Sequence, residues 1–126
     1  MARIKIQVGN EVFDATLEEE RAPQTVAKIL AALPIKATAM TWGEEIYFDI
    51  PVSMDEENAV ETVRKGDLAF WSVGSAFCIF FGRTPTTETE DEIKPASAVN
   101  PIGCIQNPDA LKKHRDGEPV RVALAD

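Results

Sequence analysis

Residues 66–85 read GDLAFWSVGSAFCIFFGRTP, and within them Leu68 to Gly82 form a run without formal charge. A membrane-spanning helix needs about 20 predominantly apolar residues, and this run is shorter and interrupted by Gly74-Ser75. Its aromatic and β-branched content predicts two buried strands instead, Leu68–Val73 and Ala76–Phe81, joined by a turn. Phe70 and Trp71 are consecutive, as are Phe80 and Phe81, and neighbouring residues of a strand point to opposite faces. Large aromatics therefore occupy both faces of this pair. One face belongs to a core, and the other is either covered by a helix or open as a groove.

The flanking sequence extends the strand pattern in both directions. Ile4, Ile6 and Val8 alternate with Lys5 and Gln7 and run into Gly9-Asn10, a two-residue hairpin loop whose return strand is Glu11–Leu17. Pro23 opens a helix ending near Leu33, with Val26, Ile29, Leu30 and Leu33 on one stripe and Pro34 as its stop. Lys36–Trp42 and Glu45–Ile50 are strands either side of a turn at Gly43-Glu44. Ser53–Lys65 is acidic and reads as loop. Ile102–Gln106 is a short strand, Pro108–Arg115 a second helix starting at Asn107, and Pro119–Leu124 a last strand. About eight strands with short antiparallel connections and no βαβ alternation predict one domain over residues 1–126, mainly β. The expected fold is a closed antiparallel eight-stranded barrel with two helices.

Composition narrows the function classes. Thirteen Lys and Arg stand against 21 Asp and Glu, a net charge of −8. A nucleic-acid surface needs a basic footprint to neutralise phosphates, and an anionic membrane surface needs one too, so neither is an expected partner. The opening MARIKIQVGN alternates and lacks the apolar core of a signal peptide. Two isolated cysteines, Cys78 and Cys104, in apolar surroundings read as reduced thiols. A cytoplasmic protein is the expectation.

Motifs for catalysis are sparse. Neither GxGxxG nor GxxxxGK[ST] occurs. His114 sits in a Lys-Lys-His-Arg cluster where cations complement the end of a helix, and the expected role is a cap. Glu88, Glu90, Asp91 and Glu92 do not have the spacing of an EF-hand loop and read as a solvated run. No metal, no cofactor and no catalytic set is assigned. The informative feature is aromatic: eight of the nine aromatic residues fall between Trp42 and Phe81. Trp42 and Tyr47 flank a tight turn and so lie near a rim, while Trp71 and Phe77 flank the Gly74-Ser75 turn. These positions predict a pocket lined by Trp42, Tyr47, Phe48, Trp71 and Phe77, with Glu44, Arg83 and Thr84 as its polar candidates. The acidic stretch Thr84–Asn100 has no clear periodicity and leaves the barrel directly after Phe81-Gly82. Folded over the pocket, that stretch would favour a cationic or amide-bearing ligand.

Three segments carry a family resemblance: Trp42-Gly43-Glu44-Glu45-Ile46-Tyr47-Phe48, Gly66 to Trp71, and Cys78 to Pro85 (CIFFGRTP). Together with Ala22–Leu33, APQTVAKILAAL, they resemble the small prokaryotic cyclophilin-like proteins over nearly the whole chain. The resemblance implies an eight-stranded barrel closed by two helices and no assigned activity. Cyclophilins isomerise X-Pro bonds with an Arg from a Phe-His-Arg segment and a Gln from a Gly-Ser-Gln-Phe-Phe segment. The corresponding stretches here read Ala37-Thr38-Ala39-Met40-Thr41-Trp42 and Gly74-Ser75-Ala76-Phe77-Cys78, without either residue. With both residues missing, the aromatic groove itself favours a domain that binds a small molecule or a proline-containing peptide. The alternative is a prolyl isomerase of weak or altered activity.

Overall fold

The computed structural model describes residues 1–89 and 92–125. Nine strands form a single antiparallel sheet: β1 (Ala2–Val8), β2 (Glu11–Leu17), β3 (Ile35–Thr38), β4 (Met40–Thr41), β5 (Glu45–Asp49), β6 (Asp67–Trp71), β7 (Ala76–Phe80), β8 (Asn100–Ile105) and β9 (Pro119–Leu124). The order across the sheet is β3-β9-β1-β2-β8-β6-β7-β5-β4. Its two outermost members, β3 and β4, are consecutive in the chain and separated only by Ala39, so residues 35–41 reach from one edge to the other and nearly close a barrel. The extra strand relative to the expected eight comes from this break. Ala39 gives its N–H to the Glu118 carbonyl and accepts from the Gly117 N–H, leaving the ladder for a neighbouring turn.

The β1–β2 hairpin has the expected two-residue loop, with Val8 opposite Glu11. Alternation buries Ile4, Ile6, Val8, Phe13, Ala15 and Leu17 inside the barrel beside Ile46, Phe48, Leu68, Phe70, Phe77 and Ile79. Helix α1 (Pro23–Ala32) closes the interior with Val26 and Ile29. Its N-terminal residue Ala22 has no capping side chain. Glu57 takes over that task from the 53–65 loop: its carboxylate accepts the Thr25 N–H at 2.8 Å, the Thr25 hydroxyl at 2.7 Å and the Gln24 N–H at 3.0 Å. Asn100 anchors Glu57 in turn, accepting its N–H at 2.8 Å and donating to the Asp55 carbonyl and the Thr25 hydroxyl. Glu57→Ala should lower unfolding free energy by about 1–2 kcal/mol, the usual value of an N-cap, in urea titrations. An unchanged midpoint would show that α1 does not depend on this cap.

The second helix is a six-residue 3-10 helix, Pro108–Lys113, and Asn107 before it makes no capping hydrogen bond. His114 caps its end as expected, its backbone N–H donating to the Leu111 carbonyl at 3.1 Å, and its side chain does something more. Its ring is buried between two carboxylates, with Nδ1 2.9 Å from Glu118 and Nε2 2.9 Å from Glu11. Carboxylates only accept, so both ring nitrogens donate and the ring is an imidazolium. Burial alone would lower its pKa, but the hydrogen bonds from Glu118 and Glu11 outweigh it and hold the value above the ordinary imidazole range. Glu11 lies 103 residues away and on the first hairpin, which explains why no local pattern shows this cluster.

Candidate functional site

The outer face of β5, β7 and β6 carries a second, smaller core. Phe80, Cys78, Ala76 and Ala69 pack under Val63, Ile93 and Val99, which arrive from the two long excursions. Val60 pairs with Val99 and Val63 with Ile93, so residues 92–99 lie across the sheet as a strap. The sequence reading left a helix or a groove for this face; a strap of irregular chain covers most of it. Ile93 and Val99 are the two large apolar residues of the acidic stretch, and both are buried here.

The strap is clasped at its root by threonines. The Thr87 hydroxyl accepts N–H groups from Thr84 at 3.0 Å and Lys94 at 3.1 Å and lies 2.8 Å from the Thr84 hydroxyl. Thr84 and Thr86 both donate to the Lys94 carbonyl. At the other end, Trp71 Nε1 donates to the Ser97 hydroxyl at 2.6 Å.

Beside the strap a pocket of about 150 Å³ remains, lined by Trp42, Glu45, Tyr47, Trp71, Cys78, Pro95, Ala96 and Val99. Its origin lies in side-chain size. Across the sheet Tyr47 stands opposite Cys78, which stands opposite Ala69, while Trp71 stands opposite Ala76. Small side chains thus lie beside both large aromatics, and of these Cys78 lines the pocket between them. Trp42 completes the wall from the turn before β5, where Gly43 adopts φ +60 and has the Arg83 carbonyl and the Pro85 ring within 2.8 Å of any Cβ it might bear. Only glycine meets both demands.

Glu45 is the polar member. It is 5% exposed, and among the described residues it forms no ion pair. Burial disfavours its charged form and pushes the carboxyl up to about 7, against a small opposing hydrogen bond with the Cys78 thiol. The thiol itself is fully buried and its pKa is raised, first by that burial and then by the Glu45 charge, which favours the neutral thiol over the thiolate.

Of the eight residues expected at a site, the structure brings Trp42, Tyr47 and Trp71 to one pocket. Phe48 and Phe77 lie on the opposite face of the sheet, inside the barrel, stacked at 5.1 Å with an interplanar angle of 14°. Alternation along β5 and β7 sends them inward. Glu44 accepts the Arg83 backbone N–H at 3.2 Å, stitching the hairpin tip to the end of β7, and does not line the pocket. The Arg83 guanidinium is turned to the Glu88 carbonyl at 3.0 Å, and Thr84 belongs to the threonine clasp. Of the two adjacent carboxylates at this turn, it is Glu45 rather than the expected Glu44 that reaches the pocket. The signal was present in EIYF: with Ile46 and Phe48 inward, Glu45 must share the outer face with Tyr47. No group of His, Cys, Asp or Glu arranged to hold a metal occurs among the described residues, and Glu90 and Asp91 of the acidic run lie outside them. No helix is long and apolar enough to cross a membrane among the described residues.

None of the curated proteins compared matches the chain. Among solved structures, the solution structure of a hypothetical protein from Archaeoglobus fulgidus is 47% identical, with a TM-score of 0.84, over 98% of this chain and 95% of that one. The family model described as cyclophilin-like matches residues 2–123. With nearly the whole barrel inside that match, the chain belongs to the cyclophilin-like family.

Proposed function

We propose that this protein is a binding module that takes a small molecule or a proline-containing peptide at the pocket beside the strap. The observation that carries the reading is the pocket's construction: three half-buried aromatic side chains around Cys78 of the sheet and Pro95, Ala96 and Val99 of the strap. Trp and Tyr bring a large apolar contact with a polar tip, which suits a wet cleft. Pockets for whole drug-sized ligands usually hold about 300–1,000 Å³. A volume of about 150 Å³ holds one side-chain-sized group, with the rest of the ligand outside. A thermal-shift panel of metabolites and proline-containing peptides tests this, because a ligand of the native state raises apparent stability. Binders should lose about tenfold or more in affinity with Trp42→Ala or Trp71→Ala, the scale of a buried aromatic anchor. Wild-type affinity in both variants would place the ligand elsewhere.

Ordinary prolyl isomerase turnover is not part of this reading. The pocket lining includes no arginine among the described residues, and the position matching the family's glutamine is Ala76, buried beneath the strap. Loss of one transition-state donor costs about 3 kcal/mol, so turnover should fall roughly a hundredfold or more below a cyclophilin's. A chymotrypsin-coupled assay showing cyclophilin-like rates would overturn this.

A further inference from the structure

We propose that the group this pocket takes is an alkylated ammonium, held among the rings of Trp42, Tyr47 and Trp71 with the Glu45 carboxylate as its counter-charge. The inference rests on the binding-module reading and adds the chemistry of the ligand.

Four observations carry it. Glu45 is 5% exposed, lines the pocket and has no ion-pair partner among the described residues. A buried carboxylate without a cation is costly, and the cavity leaves room for the cation that would relieve it. The walls are the second observation: Trp42, Tyr47 and Trp71 present ring systems whose faces attract a cation, and desolvated contacts of this kind are worth about 2 kcal/mol. Third, the lining is otherwise Cys78, Pro95, Ala96 and Val99, with a neutral, buried thiol. A bare ammonium brings three donors, and one carboxylate and a phenol would leave it short of acceptors. A trimethylated or dimethylated nitrogen has no such demand and gains from apolar walls. Fourth, a cavity of about 150 Å³ is the size that accommodates a benzene molecule, and a methylated ammonium is comparable. A metal ion fits poorly, since no group of three or more His, Cys, Asp or Glu side chains gathers to hold one among the described residues.

The same chemistry occurs in free choline-like amines and in methylated lysine side chains, and the test separates them. Full-length protein is titrated with choline, with its neutral carbon isostere 3,3-dimethylbutan-1-ol, and with a peptide bearing trimethyllysine, following the Trp42 and Trp71 indole N–H resonances. Choline should bind at least about tenfold tighter than the isostere, the scale of one desolvated cation–π set. A further preference for the peptide over choline assigns the natural ligand to a polypeptide, and the reverse preference to a free amine. Because choline's charge is fixed, any pH dependence belongs to the protein. Tyr47 and Cys78 are the other titratable groups at the pocket; the turn before β5, β6 and the strap bring only Trp42, Trp71, Pro95, Ala96 and Val99 to it. Choline affinity should therefore rise about tenfold between pH 5.5 and pH 8.5, and Glu45→Gln should remove both the rise and most of the affinity. Equal binding of isostere and choline would overturn the ammonium inference and leave an apolar binding pocket in place. Failure of all three probes to move either indole would also overturn it, while the broader panel decides the binding-module reading separately.

Discussion

Glu45→Gln is expected to stabilise the protein by about 3 kcal/mol at pH 8 and by almost nothing at pH 4. The carboxyl has an ordinary value of 4.5 and is pushed up to about 7 in the folded chain, because burial removes water from its charged form. Between these values the native chain holds a proton that the unfolded chain has released, so stability falls as pH rises through the window. Below the unfolded value both states are protonated and the contribution is fully present. Above about 7 both are charged and it is lost. At about 1.4 kcal/mol per pH unit, that interval sets the size of the effect. Urea titrations of wild type and variant should coincide near pH 4, diverge above pH 5 and run parallel beyond pH 8. Curves that stay parallel throughout would show that Glu45 is solvated or paired. The variant should keep a residual decline from His114, whose pKa is raised by Glu118 and Glu11. That contribution is complete below the unfolded imidazole value and lost as pH rises through the folded one. A side chain that costs stability and has no cation beside it is the expected signature of a residue kept for binding.

Phe77→Ala is expected to cost about 4 kcal/mol in the same measurement. The ring is fully buried, stacks on Phe48 at 5.1 Å and stands opposite both Phe48 and Phe70 in the sheet. Removing it loses the transfer free energy and opens a cavity between rigid strands that cannot collapse into it. Ligand affinity at the pocket should be unchanged in the folded fraction, because the residue faces the barrel interior. A loss below about 1 kcal/mol would show that the interior repacks around the gap. The contrast between Phe77 and Trp71 tests the separation of the two cores, since both were expected at one site.

Much of this architecture is legible in residue patterns alone. The Gly9-Asn10 hairpin, the Val26-Ile29 stripe and the charge-free 68–82 run specify local geometry through periods of two and 3.6 residues. What escapes is decided at a distance. The interruption at Ala39 depends on hydrogen bonds to residues 117 and 118. The imidazolium at His114 needs Glu11, and the cap of α1 needs Glu57, neither of which is a local neighbour. Three of the expected site residues could be identified because turn-flanking aromatics mark a rim. Phe77 flanks a turn as well, but alternation along β7 sends it inward, as alternation along β5 does for Phe48, and it is Glu45 rather than Glu44 that joins Tyr47 at the pocket.

The strand segment 35–41 has a consequence for how partners can be engaged. Forming both margins of the sheet as strands of four and two residues, it leaves only short rows of main-chain groups along which a foreign strand could be laid. A polypeptide visiting this protein would have to be gripped by what projects from it rather than by its backbone ladder. Recognition of that kind reads a single protruding feature and ignores the neighbouring sequence. Partners would then be sorted by one chemical group, at modest affinity and with quick release.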